Sequence, residues 1–99
     1  MHNETKNPLI SLVVPVFNAD QHLELMLSAL EKQSMESVEY VFVDDGSTDG
    51  SWLILSAFKE KYPATILVKQ ENKGAYAARN AGMAIANGKY ISFPDADDL

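Results

Sequence analysis

Short runs of apolar, β-branched residues alternate along the chain with segments in which apolar residues recur every three or four positions. The continuous runs are typical of strands buried on both faces, and the recurring segments are typical of amphipathic helices. In the segment 20–33, for example, Leu23, Met26, Leu27 and Leu30 fall on one helix face. The pattern predicts strands over residues 9–16, 38–43, 64–69 and 89–94, with helices over 20–33, after 47 and over 72–86.

This alternation predicts an α/β fold, a Rossmann-like three-layer sandwich in which a parallel four-stranded sheet carries helices on both faces. Right-handed crossovers place all four strand ends at one edge of the sheet, the edge where such folds bind ligands. We expect a disordered or extended tail over residues 1–8 and one domain over 9–99. Because the chain stops just after an acidic cluster, we expect this domain to be truncated.

Composition narrows the classes of partner. The 99 residues are 46% hydrophobic, enough for one modest core. The net charge is −6 and the basic residues are scattered, which argues against a nucleic-acid partner. The absence of cysteine excludes disulfides and thiolate metal sites. No signal peptide or membrane-length apolar run is seen, so we expect a cytoplasmic protein, although a longer parent chain could be membrane-associated.

The most acidic segment, Asp95-Ala96-Asp97-Asp98, directly follows the last apolar strand. Residues two apart in an extended chain point the same way, so Asp95 and Asp97 can face one ligand. Two close carboxylates repel unless a cation or a proton lies between them. Mn²⁺ or Mg²⁺, which binds carboxylate and phosphate oxygens, would neutralise this pair. The alternative interpretation is an acidic turn at the end of a strand.

A second acidic pair, Asp44-Asp45, ends the second strand. A carboxylate there can accept a strong hydrogen bond from the imide N–H of a base such as uracil. The alternative is a glycine turn followed by a helix cap, a role that suits Thr48 or Asp49. A cap needs only one such residue, so it does not account for the adjacent pair.

Further positions have both a functional and a structural interpretation. Arg79, in the third helix, can reach a diphosphate or form an ordinary surface ion pair, and the amides that begin this helix favour an anion. Phe17 can stack on a base or belong to the core, and Pro15 either ends the hydrogen bonding of the first strand or lies at an edge of its pairing. We expect Asn18 to cap the first helix and Tyr76 to be a packing residue.

Four segments, in this order and spacing, together resemble the inverting family 2 glycosyltransferases, which have the A-type, Rossmann-like fold. The segments read SLVVPVFN at 11–18, VDDGSTD at 43–49, NKGAYAARNAG at 72–82 and GKYISFPDADD at 88–98. Each segment alone is only moderately specific, and the combination is highly specific. The resemblance covers nearly all of the chain after residue 9.

The resemblance implies that this chain is the nucleotide-sugar-binding half of such an enzyme. It implies that the donor is a nucleoside-diphosphate sugar, usually a UDP-sugar, bound with Mn²⁺ or Mg²⁺. The site residues that it implies are Pro15 and Phe17 beside the nucleoside, Asp45 with Asp44 at the base, Arg79 at the diphosphate, Asp95 at the ribose and metal, and Asp97 as the principal metal ligand.

The implied reaction transfers the sugar, with inversion, to a hydroxyl of a glycan, lipid-linked or other acceptor. The catalytic base is expected beyond Leu99, so we expect the isolated chain to be inactive. The alternative is a non-catalytic nucleotide-binding or self-associating module, for which a homodimer is expected. A dinucleotide oxidoreductase is disfavoured because no glycine-rich turn follows the first strand, and a phosphotransfer domain because the aspartate pair comes last.

Overall fold

The structure, a computed structural model, describes residues 8–33 and 37–94. Its four strands pair in parallel in the order β3-β2-β1-β4, with β2 and β1 in the middle. The predicted four-stranded parallel α/β sheet is therefore confirmed. The elements are β1 (Ile10–Val16), α1 (Asp20–Glu31), β2 (Val38–Asp44), α2 (Ser51–Lys61), β3 (Ile66–Lys69), α3 (Ala75–Ile85) and β4 (Tyr90–Ser92).

Helices cover both faces of the sheet. Side chains of the central strands alternate between the two faces and form one apolar cluster on each. On the face covered by α3, the cluster contains Val13, Val41, Val43 and Ala78. The larger cluster lies under α1 and α2 and contains Val14, Val16, Leu23, Met26, Leu27, Leu30, Tyr40, Phe42, Leu55 and Phe58. Both faces of β2 are buried in this way, which explains its nearly continuous apolar sequence.

Helix α3 lies unusually close to the sheet at Gly82. A Cβ atom at this position would overlap Cγ1 of Val13 and lie 3.3 Å from Cγ2 of Val43. The small residues of the NKGAYAARNAG segment therefore let α3 pack directly against β1 and β2. This close contact fixes the position of α3 relative to the sheet.

A buried polar cluster fixes the start of β4 at the opposite edge of the sheet. Glu39 is only 8% exposed, and its Oε1 accepts hydrogen bonds from Ser11 Oγ at 2.7 Å and Asn87 N at 2.8 Å. Its Oε2 accepts from Asn87 Nδ2 at 2.8 Å, and Ser11 Oγ accepts from Gly88 N at 2.8 Å. The turn after α3 is thereby held against β1, which sets the register of β4.

Candidate functional site

The loops that follow β1, β2 and β3 meet the beginnings of α1, α2 and α3 at one edge of the sheet. The first two connections move from β1 towards β3, whereas the connection from β3 to β4 crosses to the other side of β1. The strand order therefore reverses between β1 and β4. Open α/β sheets bind their ligands at the carboxyl edge beside such a reversal.

Asp45 lies at this edge and organises the loop that precedes α3. It is 4% exposed, and its Oδ1 accepts hydrogen bonds from Gln70 Nε2 and Lys73 N, both at 2.8 Å. Its Oδ2 accepts from Gly74 N at 2.9 Å. Burial alone raises the pKa of the Asp45 carboxyl, but these hydrogen bonds and the charge of Lys73 outweigh it and hold the pKa below its usual value.

The anion expected at the beginning of α3 is thus supplied by the protein itself. The amides of Lys73 and Gly74 donate to Asp45, and α3 begins at Ala75 rather than at residue 72 as predicted. Gly74 has φ of +98°, outside the helical region, which lets the chain turn around the carboxylate. The start of α3 was predicted too early because its amides have a partner 28 and 29 residues away in the chain.

Gly46 allows the loop before α3 to approach the end of β2. Its φ of +83° is in the left-handed region, and a Cβ atom there would lie 2.8 Å from Asn72 N. A side chain at this position would therefore be strained and would also push the loop away. Gly46 is thus needed for the contact that brings residues 70–74 over Asp45.

Asp44 is adjacent to Asp45 in the chain but has different surroundings. Its Oδ1 accepts a hydrogen bond from Ser47 N at 2.8 Å, which closes the turn after β2. Its Oδ2 is buried and has no hydrogen-bond partner within residues 8–33 and 37–94. Successive residues at a strand end point to opposite faces, and these contacts agree with that alternation. The structure therefore does not bring the two carboxylates together, and a contact between Asp44 and a base stays a prediction.

The loops before α1 and α2 are joined by reciprocal hydrogen bonds. Asp20 N donates to Asp49 Oδ2 at 3.1 Å, while Gly50 N donates to Asp20 Oδ2 at 3.0 Å. Asp49 Oδ1 also accepts from Ser51 N, the first residue of α2, at 2.9 Å. The residue in the cap position of α2 is Gly50, so the prediction of a cap at Thr48 or Asp49 is wrong, although Asp49 binds the first amide of the helix from one residue earlier. The first residue of α1 is thus bound by the carboxylate of Asp49, next to α2, and the residue before α2 is bound by the carboxylate of Asp20, in α1.

Asn18 does not cap α1, and that prediction is wrong. It has φ of +47° and is followed by Ala19, which immediately precedes the helix. Asn18 Oδ1 instead accepts a hydrogen bond from Thr48 N at 2.8 Å, and Asn18 N donates to Ser47 Oγ at 2.9 Å. The side chain crosses to the loop before α2, so it ties the turn after β1 to the turn after β2.

The structure places the two predicted positions of β1 at its carboxyl end. Phe17 is 50% exposed, so its ring is accessible for stacking and is not a core residue. Pro15 lies within β1, in register with Val43, and β1 continues to Val16. Within the described residues, the pairing of β1 with β4 extends from Ile10 to Leu12. Both interpretations of Pro15 stay predictions.

Arg79 lies on α3, about one turn after the Asp45-bound loop, and is partly buried. Its guanidinium carbon is 5.8 Å from the ring centroid of Tyr76, a cation–π distance. Tyr76 is 83% exposed, so the prediction of a packing residue is wrong. The helical pattern alone could not show this, because the ring lies on a face of α3 that is not covered by any element within residues 8–33 and 37–94.

Asp95 and Asp97 lie outside the described residues, so their approach to Asp45 and Arg79 stays a prediction. Strand β4 runs parallel to β1 and directs the chain towards the edge that holds Phe17 and Asp45. Between residues 8 and 94, apart from 34–36, no group of three or more acidic or histidine side chains is placed to hold a metal ion. Over the same residues, no helix is long and apolar enough to cross a membrane.

The fold and the loops at the carboxyl edge of the sheet define an α/β domain of the A-type glycosyltransferase class. Residues 11–99 match the family model described as glycosyl transferase family 2. The chain therefore belongs to this family, and the resemblance seen in the four sequence segments is confirmed.

Two relatives illustrate the relationship in sequence. The uncharacterized glycosyltransferase YibD of Escherichia coli K12 is 39% identical over 98 residues, which cover 99% of this chain and 28% of that protein. The glycosyltransferase GlyG of Streptococcus pneumoniae serotype 4 is 41% identical over 92 residues, which cover 92% of this chain and 31% of that protein. The chain thus spans less than a third of the length of these relatives.

Two solved structures illustrate the relationship in fold. Residues 1–349 of S. aureus TarS, in complex with UDP, superimpose with a TM-score of 0.82 at 29% identity, covering 90% of this chain and 27% of that one. The mannosyltransferase PcManGT of Pyrobaculum calidifontis, in complex with GDP-Man and Mn²⁺, has a TM-score of 0.78 at 27% identity, covering 98% and 30%. These similarities confirm the A-type glycosyltransferase fold, of which this chain covers less than a third of each solved chain.

Proposed function

We propose that this chain binds the nucleoside-diphosphate sugar, with a divalent cation, for a glycosyltransferase that transfers the sugar to an acceptor hydroxyl. The observation that carries the proposal is the placement of Asp45. A buried carboxylate with a lowered pKa is held by three hydrogen bonds at the carboxyl edge of the sheet, beside the reversal of strand order. Charged acceptors in such positions form strong hydrogen bonds with ligand N–H groups.

The nucleoside is proposed to lie between Asp45 and Phe17. The half-exposed ring of Phe17 offers an apolar face for the base, while Asp45 accepts a hydrogen bond from the edge of the base. We propose a uridine nucleotide, in agreement with the UDP complex of the similar TarS structure. Asp44 closes the turn after β2 through its Oδ1, and its contact with the base stays a prediction.

The diphosphate is proposed to lie near Arg79, with the cation held by Asp95 and Asp97. Carboxylate oxygens two residues apart suit a hard cation such as Mn²⁺ or Mg²⁺, and the parallel direction of β4 beside β1 supports this proposal. When bound, the cation would supply Lewis-acid stabilisation of the departing diphosphate. Arg79 would add a fixed positive charge that orients the phosphate oxygens.

Transfer with inversion requires a base that deprotonates the acceptor hydroxyl while the sugar bond to the diphosphate breaks. The carboxylate of Asp45 is already engaged by three donors, and Asp95 and Asp97 would be engaged by the cation. We therefore propose that the base and the acceptor site belong to residues beyond Leu99 of a longer chain. The 99-residue chain by itself is expected to bind the donor but not to transfer its sugar.

Titration calorimetry with UDP, with and without Mn²⁺, tests this proposal on the 99-residue chain. We expect binding that strengthens with Mn²⁺, and a loss of about tenfold in affinity for Asp45→Asn, the effect of one charged hydrogen bond. The exposed Glu71→Gln serves as the control for a change of charge. Absence of binding under both conditions, or an unchanged affinity in Asp45→Asn, would argue against donor binding at this edge.

A self-associating module is the second candidate, and one observation favours it. Large apolar side chains are exposed along α3 and β4, namely Met83, Ile85, Tyr90, Ile91 and Phe93. Within the described residues β4 pairs only with β1, so its outer edge can pair with the same edge of a second copy. Sedimentation velocity should then show a dimer for the 99-residue chain and a monomer for Ile91→Lys. A monomeric wild-type chain at high concentration would rule this candidate out.

A further inference from the structure

Gln70 is fixed at both its backbone and its side chain between the two adjacent aspartates. Its backbone N donates to Asp44 O at 2.9 Å, directly after the end of β3. Its side-chain Nε2 donates to Asp45 Oδ1 at 2.8 Å. Gln70 is partly buried, so both contacts are sheltered by the loop before α3. The side chain therefore has a defined position next to the carboxylate assigned to the base.

The acceptor capacity of Asp45 is nearly used up. An ionised carboxylate has about four lone-pair positions, two on each oxygen. Gln70 Nε2 and Lys73 N occupy both positions of Oδ1, and Gly74 N occupies one position of Oδ2. Among the residues that the structure describes, the donors to Asp45 thus leave one acceptor position, on Oδ2. Without Gln70 a second position would become available, on Oδ1.

The fold does not decide the identity of the base. The similar TarS structure contains UDP, whereas the similar mannosyltransferase contains GDP-Man. The choice between uracil and guanine must therefore depend on side chains at the base-binding edge. Uracil offers one ring N–H at its pairing edge, whereas guanine offers a ring N–H and an exocyclic amino group side by side.

We propose that Gln70 determines base specificity by occupying the second acceptor position of Asp45 Oδ1, which leaves room for the single N–H donor of uracil. This inference rests on the proposed function. Guanine would pair one donor with Oδ2 and leave its second donor against an oxygen that is already saturated. A donor that faces a saturated acceptor loses hydration without gaining a hydrogen bond, which weakens binding. Gln70 is a positioning residue in this scheme, since it acts through Asp45.

The test compares the dissociation constants of UDP and GDP, both with Mn²⁺, for the 99-residue chain and for Gln70→Ala. We expect the wild-type chain to prefer UDP, and Gln70→Ala to raise the affinity for GDP relative to UDP by about tenfold, the effect of one additional hydrogen bond to a charged group. The neighbouring exposed residue supplies a matched control, Glu71→Ala, which should leave the ratio unchanged. A purely structural role for Gln70 would weaken both nucleotides equally.

Gln70→Met, which keeps the volume of the side chain and removes its donor, is the second variant in case the alanine variant does not fold. The wild-type chain is itself a test, because a preference for GDP over UDP would overturn the inference. An unchanged ratio in the folded variants would overturn it too, while leaving donor binding intact. Failure of the wild-type chain to bind either nucleotide would instead refute the proposed function, and the role of Gln70 with it.

Discussion

Replacement of Asp45 by asparagine should destabilise the fold before any ligand is added. The carboxylate accepts three hydrogen bonds, two on Oδ1 and one on Oδ2. An asparagine can keep its oxygen towards Gln70 and Lys73, but its amide group then faces the N–H of Gly74. The N–H of Gly74 would then face the amide N–H of the asparagine and lose its acceptor, which lowers the free energy of unfolding by about 1–3 kcal/mol. In a domain of this size such a loss lowers the melting temperature by roughly 4–24 °C.

The destabilisation should depend on pH, because the Asp45 carboxyl has a lowered pKa in the folded chain. The folded state therefore binds this proton less readily than the unfolded state does. The stabilisation is fully present above the unfolded pKa, about 4, and is lost as the pH falls through the lower folded value. The difference in stability between the wild-type chain and Asp45→Asn should thus be constant near pH 7 and shrink below about pH 4.

Thermal unfolding followed by circular dichroism, from pH 7 down to pH 3, measures this difference. Glu71→Asn, in an exposed position of the same loop, controls for the loss of one negative charge. If Asp45→Asn melted at the wild-type temperature at pH 7, the three hydrogen bonds would not anchor the loop. A difference that did not change with pH would show that the ionised carboxylate is not what stabilises it.

Two further predictions concern buried contacts that fix α3 and the start of β4. Gly82→Val should cost roughly 3 kcal/mol because its side chain would overlap the valines beneath α3, whereas Asn80→Val, on the exposed side of the same helix, should change the urea midpoint little. Glu39→Gln should cost about 1–3 kcal/mol, since its amide would oppose a donor in the buried cluster, and the exposed Glu60→Gln is its control. If Gly82→Val unfolded at the wild-type urea midpoint, the close packing of α3 on the valines would be contradicted. The same result for Glu39→Gln would contradict the buried hydrogen bonds of Glu39.

The sequence was sufficient to predict the sheet and the order of its elements. The runs at β1 and β2 are apolar at nearly every position because both faces are buried, and a local pattern reports this directly. The close approach of α3 depends on Ala78 and Gly82, which are small and lie one turn apart. Local periodicity thus carries information about burial.

Contacts between distant segments could not be predicted in this way. Asn18 has the residue type and position of a helix cap, yet its partner is Thr48, 30 residues away. Glu39 looks like a solvent-facing residue in a strand, but its partner Asn87 is 48 residues away. In both cases the side chain is satisfied by a loop from another part of the chain. A single sequence contains no local signal for such a partner.

Asp45 has two roles that a simple binding measurement would merge. It anchors the loop before α3 through Lys73 and Gly74, and it is the acceptor proposed for the base. A variant that loses affinity for UDP has therefore lost either the shape of the site or the contact with the base. Substitution of Gln70 separates these roles. It frees one acceptor position on Asp45 for the base, and it leaves the two hydrogen bonds from the backbone of Lys73 and Gly74 in place. A change in the ratio of GDP to UDP affinity reports the contact with the base, since a distorted loop would weaken both nucleotides together.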